Sequence, residues 1–232
     1  MIDADTWEYY YKLNPDGKPW PSNMLYTPTV NPEQTVMCAH YCIDPAYRPR
    51  ETSTVPEDLI EWFFQRDVKF LTQLSHLKTT PILYDVDYKN RKIFTEWNKE
   101  TLSQILFTPG RSLDNELPDW KEQMKDFFIS TKVNNFWKVS LYPNCFYISK
   151  DGVLKTIDNY GIVPYEERFM KRKIIQGIIG KDGAYRFDQS TDNDGVIDFK
   201  KFFEITVTKH LPERSWGTTV FANIFKEVFN NE

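Results

Sequence analysis

Glycine is the scarcest useful residue in this chain. There are nine in 232 residues, and Gly17 stands alone in the first 100. A backbone cradle that wraps a phosphate needs glycines for close approach, and the first half of the chain has no cluster of them. An excess of basic charge is also missing. Twenty-nine Lys and Arg against 33 Asp and Glu leave a formal charge of -4, which argues against a nucleic-acid footprint. The basic run Lys171-Arg172-Lys173 reads as a solvated helix face.

No apolar run approaches the roughly 18 residues that a membrane-spanning helix requires, so no membrane contact is expected. The start of the chain, Met1-Ile2-Asp3-Ala4-Asp5, lacks the basic and apolar regions of a signal peptide. Three cysteines, Cys38, Cys42 and Cys145, make neither a disulfide framework nor a zinc pattern. A reduced, cytoplasmic protein is the expectation. Internal repeats and low-complexity tracts are absent from the sequence.

What is abundant is apolar and aromatic material, at 41% and 16% of residues. That suffices for one large domain or for two small lobes sharing an interface. The apolar residues are patterned. Met24 to Val30 and Thr35 to Ile43 can pair as strands across Asn31-Pro32-Glu33-Gln34. Prolines 45, 49 and 56 mark a linker, with Thr54 and Pro56 suited to open a helix. Glu57 to Leu77 is the clearest helix, with Leu59, Phe63, Phe70, Leu71 and Leu74 at helical spacing. Asp67 falls on that same apolar stripe, where a carboxylate is costly unless paired.

Farther on, Pro81 to Tyr88 and Arg91 to Trp97 alternate as two strands joined through Asp87-Tyr88-Lys89-Asn90. Thr101 to Phe107 reads as a short helix, followed by a loop at Pro109-Gly110. Pro118 to about Thr131 is a second strong helix, its face made by Trp120, Met124, Phe127 and Phe128. Lys150-Asp151-Gly152, between Phe146, Ile148 and Val153, Ile157, predicts a tight hairpin. Further helices are expected over 165–179, 199–210 and 218–229. The loop Ser190–Lys201 has Gly195 and Ile197 where a calcium loop wants them. It carries lysine at the twelfth position, which wants a bidentate glutamate, and is read as an acidic turn before Phe199.

The order of these elements resembles the protein kinase-like superfamily, over about residues 25–165. The segment from Arg66 to His76 resembles the kinase C-helix pattern E-x-x-x-L-x-x-L-x-H, with Asp67 on the glutamate. Ile93 to Asn98 resembles the hinge that meets adenine through its main chain. The loop at Pro143, the hairpin and then Lys155-Thr156-Ile157-Asp158-Asn159-Tyr160-Gly161 resemble the catalytic loop and the Asp-Phe-Gly segment.

The resemblance implies an α+β, two-lobed protein kinase-like fold. Residues 1–98 would be a small antiparallel-sheet lobe with one long helix, and residues 99–232 a mostly helical second lobe of reduced size. It implies Asp158 as the metal carboxylate, with Glu96 and Asn98 at the hinge. It also implies a strand lysine to pair with Asp67. That strand has none, and His40 is the nearest candidate cation. Ser140 stands at the base position and Cys145 at the metal-binding asparagine.

With those departures, a degenerate kinase-like binding or scaffolding protein is expected. No phosphoryl transfer, no cofactor and a protein partner go with that expectation. The alternatives are an active phosphotransferase with ATP and magnesium at Asp158, assisted by Asn144 or Asn159, and an α+β protein unrelated to kinases.

Overall fold

A computed structural model of the chain describes residues 2–9, 27–42, 57–98, 100–134, 136–138, 145–156, 162–164 and 223–224. The chain divides into two compact units, Met1–Leu117 with Asn144–Asp158, and Pro118–Pro143 with Asn159–Glu232.

The first unit is built on a five-stranded antiparallel sheet. Its strands are β1 (Glu8–Tyr9), β2 (Thr27–Val30), β3 (Val36–His40), β4 (Leu83–Asp87) and β5 (Lys92–Glu96), in the order β1-β2-β3-β5-β4. The helix α1 (Glu57–Gln73) connects β3 to β4. Alternation along each strand gives the sheet two apolar faces. On one, Cys38 and Phe94 pack with Ala4, Ile2, Trp7 and Val36, and the Trp7 ring meets Phe94 edge-on at 5.9 Å. On the other, Val30, Met37, Trp97 and Tyr147 form a buried cluster.

The helix stripe behaves as its spacing predicts. Phe63, Phe70, Leu71 and Leu74 are all fully buried, joined by Ile60 and Phe64. Phe64 meets the Tyr41 ring at 5.7 Å and Tyr88 at 5.9 Å, which seats the helix on the sheet. The helix ends at Gln73, four residues earlier than its pattern suggests, and Leu74 continues into turns that lead to β4.

Two of the strand pairs are closed by local chemistry. Between β2 and β3, the Asn31 side chain accepts from the amides of Thr35 at 2.8 Å and Val36 at 2.7 Å. It donates to Glu33 at 2.8 Å and to the Thr35 hydroxyl at 3.1 Å. Between β4 and β5, Asp87 accepts from the Asn90 amide at 3.0 Å and the Asn90 side chain at 2.6 Å.

The Asp-Gly hairpin forms as expected, from β7 (Phe146–Ile148) and β8 (Leu154–Thr156). The Gly152 amide donates to Ser149 O at 3.0 Å, and Gly152 sits at φ +69°. This is a three-residue loop with its last residue left-handed, a position that favours glycine. After the sheet come α2 (Leu102–Phe107) and the four-residue α3 (Leu113–Glu116). The latter falls in what reads from sequence as loop, because Ser112 supplies a cap to the Asn115 amide at 3.2 Å.

In the second unit, α4 (Trp120–Val133) buries Trp120, Met124, Phe127 and Phe128, as its pattern predicts. A strand pair the sequence reading did not include joins β6 (Phe136–Lys138) to β9 (Ile162–Pro164). Asn223 and Ile224 are helical. The other residues of the three expected later helices, and the loop Ser190–Lys201, lie outside the described residues. The fold is thus α+β with an antiparallel sheet.

Two substitutions test the turn chemistry. Asn31→Ala removes four hydrogen bonds and leaves two sheet-entry amides without their partner, so urea denaturation should show a loss of about 1–3 kcal/mol. Gly152→Ala meets no neighbour within 4 Å, and only the left-handed backbone opposes it, so a loss of about 1–2 kcal/mol is expected. An unchanged midpoint in either case would show that the turn holds by other means.

Candidate functional site

Asp67, on α1, has no exposed surface. Tyr41 and Arg66 both meet its carboxylate. The Tyr41 hydroxyl donates to Oδ2. Arg66 donates to Oδ1 through Nε at 2.6 Å and Nη2 at 2.5 Å. Arg66 is itself buried, its guanidinium 4.7 Å from the Phe63 ring centre and 5.7 Å from that of Trp62. A buried charge survives only with this kind of pairing. The carboxylate is therefore fastened to the strand by a neutral phenol, and its charge is met from its own helix.

The expected partner, His40, is one residue away and is not the group that Asp67 uses. Alternation explains the difference. His40 follows Cys38 on the face that carries Phe94, whereas Tyr41 follows Met37 and Ala39 on the opposite face. His40 is half-buried and pairs across the ladder with Lys92. Burial first, and then the positive charges of Lys92 and Arg91, push its imidazole below the ordinary value of 6.5. Lys92 in turn bonds Asp5 at 3.1 Å.

At the exit of β5, the two expected hinge residues both turn to the hairpin. Glu96 pairs with the ammonium of Lys155. Asn98 donates from Nδ2 to Ile148 O at 2.7 Å. The Trp97 ring packs on Tyr147 at 6.2 Å, and both are buried. The main chain there is occupied too. The Glu96 amide donates to Ile82 O and the Trp97 amide to Thr35 O, each at 2.8 Å. Burial first, then Glu96 and Tyr84, raise the Tyr147 phenol well above its ordinary range.

Lys155, Tyr41 and Tyr147 were missed as site residues by sequence reasoning. A signal existed for two of them. The Asp-Gly turn fixes a register in which Tyr147 stands directly opposite Lys155, so both belong to one face of the hairpin.

Cys145 is buried, and its carbonyl accepts from the Thr156 hydroxyl at 3.3 Å. Ser140 and Asp158 lie outside the described residues, as do Asn144 and Asn159. Among the described residues no group of three or more His, Cys, Asp or Glu side chains could hold a metal. No described helix is long and apolar enough to cross a membrane.

A scan against protein-family models finds no match, and a search of curated proteins finds none. Solved structures do match. A medium-resolution structure of the bifunctional kinase-methyltransferase WbdD is 14% identical, with a TM-score of 0.50, covering 98% of this chain and 48% of that one. A higher-resolution crystal structure of WbdD is 15% identical, with a TM-score of 0.46, covering 91% of this chain and 44% of that one. A co-crystal structure of WbdD with the kinase inhibitor LY294002 gives the same identity and TM-score, with 91% and 45% covered. The chain spans less than half the length of each. At these identities the likeness is one of fold alone.

Two measurements test this geometry. Tyr41→Phe keeps the packing on Phe64 but leaves the buried carboxylate one bond short, so chemical denaturation should show a loss of about 1–3 kcal/mol. For His40, the folded state holds the neutral imidazole more strongly than the unfolded chain does. Its contribution is present above pH 6.5 and is lost as pH falls through that value. Stability measured against pH should therefore decline below that point, and His40→Gln should flatten that part of the profile.

Proposed function

We propose that the chain is a degenerate kinase-like module that binds or scaffolds a protein partner and does not transfer phosphoryl groups. The observation that carries this reading is the commitment of the hinge. The resemblance gives adenine a hinge main chain with a free donor, but the Glu96 and Trp97 amides are spent within the sheet. Beside them, Trp97 and Tyr147 fill the sheet face together with Val30 and Met37.

The phosphate side points the same way. Transfer needs a cation on the phosphates, a metal shell and a group that orients the nucleophile. No lysine stands on β3, and Asp67 bonds to Tyr41 and Arg66. Ser140, at the base position, has a hydroxyl that cannot accept a proton at neutral pH as a carboxylate does. Cys145 offers soft sulfur where magnesium prefers oxygen. These departures support the reading without ATP and magnesium, in which Asp158 alone would hold a metal weakly.

The partner is taken to be a protein rather than a nucleic acid or a membrane. The net charge of -4 supports the first exclusion. The three cysteines, two of them buried, suit a reducing cytoplasm.

Thermal shift against ATP, with and without magnesium, and a phosphoryl-transfer assay test the reading. No magnesium-dependent shift and no turnover are expected. ATP-dependent transfer that disappears in Asp158→Ala would overturn it in favour of a rearranged active site. Nucleotide binding that survives Asp158→Ala would instead reveal a metal-independent pocket at Glu96-Trp97-Asn98.

A further inference from the structure

We infer that the connector after β5 is an internal clasp: residues 96–101 lock the β7–β8 hairpin to the sheet, so that sheet, connector and hairpin open as one cooperative unit. The inference rests on geometry within the first unit and not on the functional reading above.

Four ties of different chemistry make the clasp. Glu96 and Lys155 form an ion pair whose side chains are 16% and 9% exposed. Trp97 packs its ring against Tyr147, and both are buried. Asn98 reaches the carbonyl of Ile148 at 2.7 Å. Thr101 makes a backbone bridge to Tyr147. These four residues cover the length of the connector, and their partners lie on both strands of the hairpin.

The ties cannot be released one at a time at low cost. Parting the hairpin from β5 would separate two nearly buried charges and expose two large aromatic rings in the same step. A joint that carries domain motion needs residues free to absorb changes in φ and ψ. Here the Glu96 and Trp97 amides are held in the ladder, and the side chains of Glu96 and Asn98 are held by the hairpin. The Thr101 amide is fixed as well, donating to Gln104 Oε1 at 2.6 Å. The packing of the chain agrees, since residues 144–158 group with the sheet rather than with α4.

Hydrogen exchange of the whole chain in rising sub-denaturing urea tests the clasp. Amides of β5 and of the hairpin should follow one opening isotherm. Asn98→Ala and Lys155→Met, the latter keeping its apolar stem, should each speed exchange in both segments by the same factor, about three- to tenfold. Hairpin amides that open on their own while β5 protection is unchanged would overturn the inference. So would variants that accelerate the hairpin alone.

Discussion

A carboxylate buried without exposure in the middle of an apolar helix face is the constraint to which the sheet and helix of the first unit answer. Asp67 cannot remain charged there without donors, and losing one partner of such a group costs several times what the pair contributes. Tyr41 must therefore stand at the end of β3, and Arg66 must fold back over Phe63 to meet the second oxygen. Those two requirements fix the rotation of α1, which in turn presents Phe63, Phe64 and Phe70 to the interior. The polar contact specifies where the helix sits, and the apolar burial supplies most of the stabilisation.

Most of the first unit was legible because its signals are local. The α1 stripe, the alternation of β4 and β5 and the Asp-Gly turn each state their structure within a dozen residues. The Asn31 loop is similar, since an asparagine opening a turn can bond the amides that follow it. The pair β6–β9 was not legible. Its strands are three residues each, with their central residues 26 positions apart, and no periodicity survives in so short a run. The later part of the chain was read as helices, and most of those residues lie outside the described set.

The site shows a sharper limit. Reading for charge led to His40, because a carboxylate suggests a cation. Reading for alternation would have led to Tyr41, because a strand presents every second residue to a given face and Met37 already marks the face toward the interior. Glu96 and Asn98 were found by resemblance, but their bonds to Lys155 and Ile148 belong to the tertiary pairing of hairpin and sheet. Sequence spacing supplies the register inside the hairpin. It does not supply the docking of one sheet on another.

Two polar arrangements anchor the first unit, one at Asp67 and one at the exit of β5. At the first, the Tyr41 phenol at the end of β3 meets the acidic residue of the helix. At the second, the Glu96 and Trp97 amides bond within the sheet, and the Glu96 and Asn98 side chains close on the hairpin. In both places a polar side chain reaches a partner far along the chain, Asp67 to Tyr41 and Glu96 to Lys155. Such contacts set where one element docks on another, while the apolar burial around them supplies the stabilisation.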